Sequence, residues 1–217
     1  MNRAFLFIET DCVVEPALND HMSATLDTIM AREVVVKTPD MVGSGVILGD
    51  AIITSLFLVA NFSIVDITFQ GSKKMPAFVT SRDQRRNLAK LRPTELETTG
   101  SLFDLLLKKL AAQKLTPAGP RAIGEALLVA NSRSGVPKVK VAGMCYGMRV
   151  SERWENNWRI DSTAPRGLMG SGVWDDDGRF VGVSLASRIP LGERATKSVE
   201  LVYGAPASEV LDFTETK

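Results

Sequence analysis

Apolar residues recur at two different periods along this chain, and the change of period divides it. From Pro16 to Arg32, the residues Leu18, Met22, Leu26, Ile29 and Met30 fall at helical spacing, with Asn19 and Asp20 near the start. This pattern predicts an amphipathic helix ahead of the main body. From Val34 the texture becomes short β-branched runs broken by glycine and polar turns: Val34–Lys37, Gly45–Leu48, Ala51–Thr54, Ile64–Gln70 and Pro76–Arg82. Such runs predict antiparallel strands in a barrel or sandwich.

Ser101 to Lys114 returns to helical chemistry, with Ser101 as N-cap and cations toward its end. After Pro117-Ala-Gly-Pro120, strand texture resumes in Glu125–Ala130, Val139–Gly143, Tyr146–Val150, Trp158–Asp161, Gly172–Trp174, Phe180–Ala186 and Ser198–Tyr203. The chain therefore reads as two β units joined by a helical connector. The sequence shows neither an internal repeat nor a low-complexity segment.

Composition changes this picture only by exclusion. With 217 residues, 45% of them hydrophobic, the chain can bury a sizeable core. Its formal net charge of +1 provides no overall field toward nucleic acid or membrane. No stretch approaches the roughly 20 apolar residues of a spanning helix, and the start of the chain makes a poor signal peptide, so a cytoplasmic location is expected. Cys12, Cys145 and His21 do not form a zinc-binding pattern or a disulfide framework, and no cofactor is implied. Asp175-Asp-Asp-Gly178 lacks the downstream glutamate of a calcium loop and reads as a hairpin turn.

Two segments carry more specific information: Gly43-Ser-Gly-Val-Ile-Leu-Gly-Asp-Ala-Ile-Ile-Thr-Ser55 and Gly167-Leu-Met-Gly-Ser-Gly172. Taken with the two β units, they resemble the chymotrypsin-like serine proteases, in particular the bacterial and viral trypsin-like branch, over about Val34 to Phe213. The resemblance implies a mainly β fold, a chymotrypsin-like double antiparallel β-barrel with an N-terminal helix and a helical inter-barrel connector. On this reading residues 1–33 form the N-terminal segment, 34–92 the first barrel, 93–120 the connector and 121–217 the second barrel.

The same resemblance places Phe57 where the family has its general-base histidine, Asn87 where it has the buried aspartate and Met169 on the nucleophilic serine. A phenyl ring accepts no proton, an amide does not stabilise an imidazolium and a thioether is no alkoxide source. Loss of the serine or histidine alone costs about 10⁶ in turnover in a protease of this kind. The expectation is therefore a protein that is not an enzyme: a pseudoprotease that binds a protein partner, or a structural, assembly or host-interaction component, by analogy of phage or viral type and then located in host cytoplasm or virion.

The candidate binding groups are the loop residues Gly167, Leu168 and Ser171 and the strand Ser184, Leu185 and Ala186, which lines the family's peptide groove. Two alternatives stand beside this reading. One is a hydrolase using Ser171 or Cys145 as nucleophile, for which His21 is a poor base because it precedes both barrels. The other is a nucleic-acid module using the cations Lys73, Lys74, Arg82, Arg85 and Arg86, within a stretch from Ser72 to Arg92 whose only acid is Asp83. That stretch has no aromatic residue but Phe78 for base stacking. Trp154 and Trp158 flank a turn and serve either packing or a partner.

Overall fold

A computed structural model of the chain describes residues 20–69, 74–94, 105, 108–110, 115–118, 126–131, 138–146, 158–162, 169–188 and 200–215. Helix α1 (Asp20–Met30) leads into strands β1 (Glu33–Lys37), β2 (Val42–Leu48) and β3 (Ala51–Ser55). A four-residue helix, α2 (Leu56–Val59), precedes β4 (Ile64–Phe69), β5 (Met75–Asp83) and β6 (Leu88–Pro93). The second half contributes β7 (Ala126–Asn131), β8 (Lys138–Tyr146), β9 (Trp158–Ser162), β10 (Gly172–Trp174), β11 (Phe180–Arg188), β12 (Glu200–Pro206) and helix α3 (Ala207–Glu215). No described helix is long and apolar enough to cross a membrane.

The strands close into two antiparallel barrels, ordered β1-β2-β3-β6-β5-β4 and β10-β11-β12-β9-β8-β7. This is the double barrel that the resemblance implied. The alternation of β4 and β5 shows why the first one forms: Val65, Ile67, Met75, Ala77 and Val79 point inward and are buried, with polar or exposed positions between them. They fill the interior together with Val34, Val36, Ile47, Ile52 and Leu91. The connector residues Leu105 and Lys108–Leu110 are helical, and Leu110 is buried against this interior.

A second cluster fuses the barrels. Val46, Leu48, Ala51, Ile53 and Leu88 from the outside of the first barrel meet Leu128, Trp174, Phe180, Val183, Leu185 and Ala205 of the second. Ile29 of α1 and Ala207, Val210 and Phe213 of α3 complete it. In β2 and β3, Ile47 and Ile52 face one core and Val46 and Ile53 the other, which explains the unbroken apolar runs 46–48 and 51–53. Trp174 meets Phe180 edge to face with ring centroids 5.1 Å apart.

Some expected elements shift. The strands expected at Val139–Gly143 and Tyr146–Val150 are a single strand, β8, up to Tyr146, and residues 147–150 lie outside those described. The C-terminal helix α3 was not expected. Arg86 docks it, holding Asp83 and Glu209 at 2.7 Å and also binding Asp212, while Lys90 Nζ donates to the Thr214 carbonyl at its C-terminal end. Burial alone would raise the Asp83 carboxyl, but its bonds to Arg86 bring it below the ordinary value.

Candidate active site and binding cleft

Strand β3 ends at Ser55, whose buried hydroxyl donates to the Leu185 carbonyl at 2.5 Å, across the two barrels. Because that hydroxyl is engaged, it does not cap the helix that starts at the next residue. Asn87 does so from the β5–β6 turn: its carbonyl accepts the Leu56 N–H at 2.9 Å and its Oδ1 accepts the Phe57 N–H at 3.1 Å. Its backbone adopts φ 55°, a left-handed conformation that asparagine tolerates better than most residues. The Phe57 ring is left 57% exposed.

Asn87 is buried, with Nδ2 unpartnered, so its role here is that of a cap supplied from a neighbouring turn. Asn87→Ala is expected to lower stability by about 1–2 kcal/mol. Asn87→Asp, which keeps the acceptor and adds no atom, is expected to retain most of it. Urea unfolding of the three proteins checks this, and equal midpoints for the alanine variant and the wild type would remove the capping role.

Met169 enters from the other side of the cleft. It is half-buried against the interior cluster of the first barrel, and its carbonyl accepts the Ser44 N–H at 2.8 Å. A side chain at Gly43 would have its Cβ 2.6 Å from that carbonyl and from Leu58, so only glycine permits this approach. Phe57 and Asn87 are thus joined by a hydrogen bond, and Met169 packs on the first barrel near Gly43 and Leu58. Gly167 and Leu168 lie outside the described residues.

The loop after Met169 is fixed by backbone bonds. Gly170 N–H donates to the Ser184 carbonyl at 2.7 Å, and the Ser171 carbonyl accepts the N–H and the hydroxyl of Ser184 at 2.9 and 3.2 Å. Ser171 is fully buried and its hydroxyl is unpartnered, so no solvent path leads to it as a nucleophile in this arrangement. Ser184 and Leu185 are also fully buried, with Ser184 N–H and both carbonyls engaged, so they do not offer the open edge expected of them. Ala186 stands opposite Tyr203 of β12. Cys145 lies on β8 opposite Ile160, and His21 lies on α1.

Gly172 N–H donates to Glu33 Oε1 at 2.8 Å. Glu33 is fully buried, its Oε2 has no partner, and the indole nitrogen of Trp174 beside it makes no well-formed hydrogen bond. Burial pushes this carboxyl well above the usual range, and the Gly172 N–H and the Trp174 indole only partly offset it. Nothing in the sequence marked Glu33 except an acid at the head of the apolar run 34–36.

The basic stretch proves to be dispersed. Lys74 pairs with Asp66 at 2.7 Å, Arg86 is committed to α3, and Arg82 donates to the Phe62 carbonyl at 2.7 Å. Arg85 is exposed, and Lys73 lies outside the described residues. At the Asp-rich turn, Asp175 accepts the Arg179 N–H and its Nε, each at 2.8 Å, and Asp177 pairs with Arg179 at 2.6 Å. These bonds describe a hairpin turn closed by its own cation.

Residues 43–183 match the family described as Trypsin-like peptidase domain. The chain belongs to this family. The chain is 22% identical over 179 residues to the periplasmic serine endoprotease DegP of Salmonella typhimurium, covering 79% of this chain and 34% of that protein. It therefore spans about a third of the length of this curated relative.

Among solved structures it is similar to the active form of the Rv3671c protease from M. tuberculosis, with TM-score 0.66, 18% identity and coverage of 91% and 85%. The MamO protease domain from Magnetospirillum magneticum gives TM-score 0.63 at 18% identity, over 87% of this chain and 98% of that one. A variant of the HtrA-type protease AlgW with tripeptide gives TM-score 0.68 at 16% identity, over 89% and 62%. These structures share the fold.

Family membership corrects the expectation that the chain is not an enzyme. That expectation was drawn from three side chains, whereas the family is one of peptidases and the curated relative is a serine endoprotease. The residues at positions 57, 87 and 169 remain a fact about three groups and do not remove the domain from an enzymatic family.

Proposed function

We propose that this domain acts on extended polypeptide, held as an added strand along β11 beyond Leu185, with a side chain of the bound segment resting on Phe57. The carrying observation is an overhang. Strand β10 pairs with β11 only from Phe180 to Val183, whereas β12 continues opposite β11 to Arg188. Among the described residues no strand covers Ala186–Arg188 on the β10 side. Backbone groups along such an edge bind a peptide through main-chain hydrogen bonds, and side-chain contacts select it.

The AlgW structure with tripeptide supports a peptide-sized ligand on this fold. The exposed ring of Phe57, the amide of Asn87 and the thioether of Met169 are suited to contact and packing, so recognition is the part of the family's work these three groups can carry. The chemistry of any bond cleavage would fall to other groups.

The test uses fluorescein-labelled, reduced casein as an unfolded probe, with binding read by anisotropy and new amino termini counted in the same samples. Phe57→Ala removes no core contact and should weaken binding about tenfold. Ser187→Pro should weaken it as well, by removing an edge N–H, since past the bulge of β11 it is Ser187 whose backbone faces away from β12. Casein that fails to bind, or binds both variants as it binds the wild type, would overturn the proposal.

A further inference from the structure

We infer that the outer face of β4, β5 and β6 is a second docking surface, one that takes an acidic polypeptide segment bearing bulky apolar side chains. Inward positions of these strands fill the barrel, so folding makes no demand for apolar residues on the outward ones. Ile64 and Phe78 nevertheless point outward and are 52% and 46% exposed. They stand directly opposite each other, and Phe78 stands opposite Arg92, which places Ile64, Phe78 and Arg92 in one row across three strands. Neighbours in such a row have Cβ atoms about 5 Å apart and present one continuous surface.

Among the described residues, the net charge around this row is positive. Arg92 is exposed, and so is Arg82, which lies past the β-bulge of β5 at the end of the barrel and reaches the Phe62 carbonyl, two residues before Ile64. Its bond to the Phe62 carbonyl uses part of the guanidinium without neutralising it. The nearby acids are already committed, Asp66 to Lys74 and Asp83 to Arg86. An aromatic and an aliphatic side chain flanked by arginines is the composition of a protein-binding patch. Carboxylates spaced among apolar residues complement it, with the arginines forming bidentate pairs. Nucleic acid would gain nothing from Ile64 and finds a single aromatic ring to stack on.

This inference does not depend on the cleft. The probe is a fluorescein-labelled dodecapeptide of alternating glutamate with leucine and phenylalanine, and its control carries lysine for glutamate. The acidic peptide should bind, more weakly as salt rises. The double substitution Ile64→Ser, Phe78→Ser should weaken binding at least about tenfold, and so should Arg92→Glu, while thermal unfolding stays unchanged.

Phe57→Ala and Ser187→Pro should leave this binding unaffected, which separates it from the cleft. Equal binding of the lysine peptide, or insensitivity to Ile64, Phe78 and Arg92, would overturn the proposal. Two other outcomes would reassign the face: self-association in sedimentation that the double substitution abolishes, pointing to a second copy, or adsorption to phosphatidylserine vesicles in preference to the peptide.

Discussion

Glu33→Gln is expected to make the protein more stable, by a margin that is nil in acid and widens as pH rises. The wild-type carboxyl sits in the joint between the barrels, and among the described residues it meets the Gly172 N–H and the Trp174 indole but no cation. Its pKa in the folded protein lies well above the ordinary 4.5, because burial disfavours the charged form. Below the unfolded value both states hold the proton, and glutamine and glutamic acid are nearly equivalent. Between the unfolded and folded values only the native state holds it, so wild-type stability falls with rising pH.

That fall amounts to about 1.4 kcal/mol per pH unit until the folded pKa is passed, where it levels off. Glutamine has no proton to lose and escapes this fall while keeping the acceptor for Gly172. Urea midpoints of both proteins from pH 4 to 9 give the result. A difference that does not change with pH, or that grows toward acid, would show that Glu33 is ionised in the fold.

Gly170→Ala is expected to cost at least about 3 kcal/mol, a large share of a typical domain stability of about 5–15 kcal/mol. Two independent penalties coincide at this residue. Its φ of 88° is unfavourable for any residue with a side chain, and the new Cβ would lie 2.0 Å from the Ser44 carbonyl oxygen and 2.3 Å from Thr54 Oγ1. Relief would require giving up the 2.6 Å bond from Thr54 to Ser44 or the neighbouring bond from Ser44 N–H to Met169.

Gly49→Ala provides the comparison. Gly49 has φ 62° and open space around it, with nothing within 4 Å of the position an alanine methyl would take, so only the backbone penalty of about 1 kcal/mol applies. Denaturant unfolding of both variants separates conformation from crowding. Equal losses would mean that the loop moves aside freely and that its contacts with the first barrel carry little.

The double barrel was legible because strand periodicity and two glycine motifs agree on it. Runs such as Val46-Ile47-Leu48 marked strands, although the sequence did not say that both faces would be buried, the second against another barrel. Helix α3 escaped notice because it is nine residues long and its buried positions, Ala207, Val210 and Phe213, make only a short stripe at the end of the chain. Positions 57, 87 and 169 were singled out by motif order alone. The cap that Asn87 supplies to α2 was not, since it depends on a turn brought alongside by β-sheet pairing.

Other features of the site are spatial and leave no pattern in one sequence. Glu33 reaches Gly172 across 139 positions, and Ser55 reaches Leu185 across 130. Of the strand Ser184, Leu185 and Ala186 singled out as a binding edge, the first two have backbone groups already occupied by the loop from Gly170 to Ser171 and the hydroxyl of Ser55, which the sequence does not show. In the basic stretch, neighbours in sequence are drawn to different partners once folded: Lys74 to Asp66, Arg82 to the Phe62 carbonyl and Arg86 to Glu209.

The cluster shared by the barrels bears on what counts as a unit of folding here. Val46, Leu48 and Ile53 are solvent-facing in a solitary first barrel, as are Trp174 and Val183 in a solitary second, and α1 and α3 lie on this same seam. Neither half has a finished exterior of its own. The connector therefore joins two parts of a single cooperative body, and a chain severed there would yield two sticky fragments whose route back to solubility is to find each other.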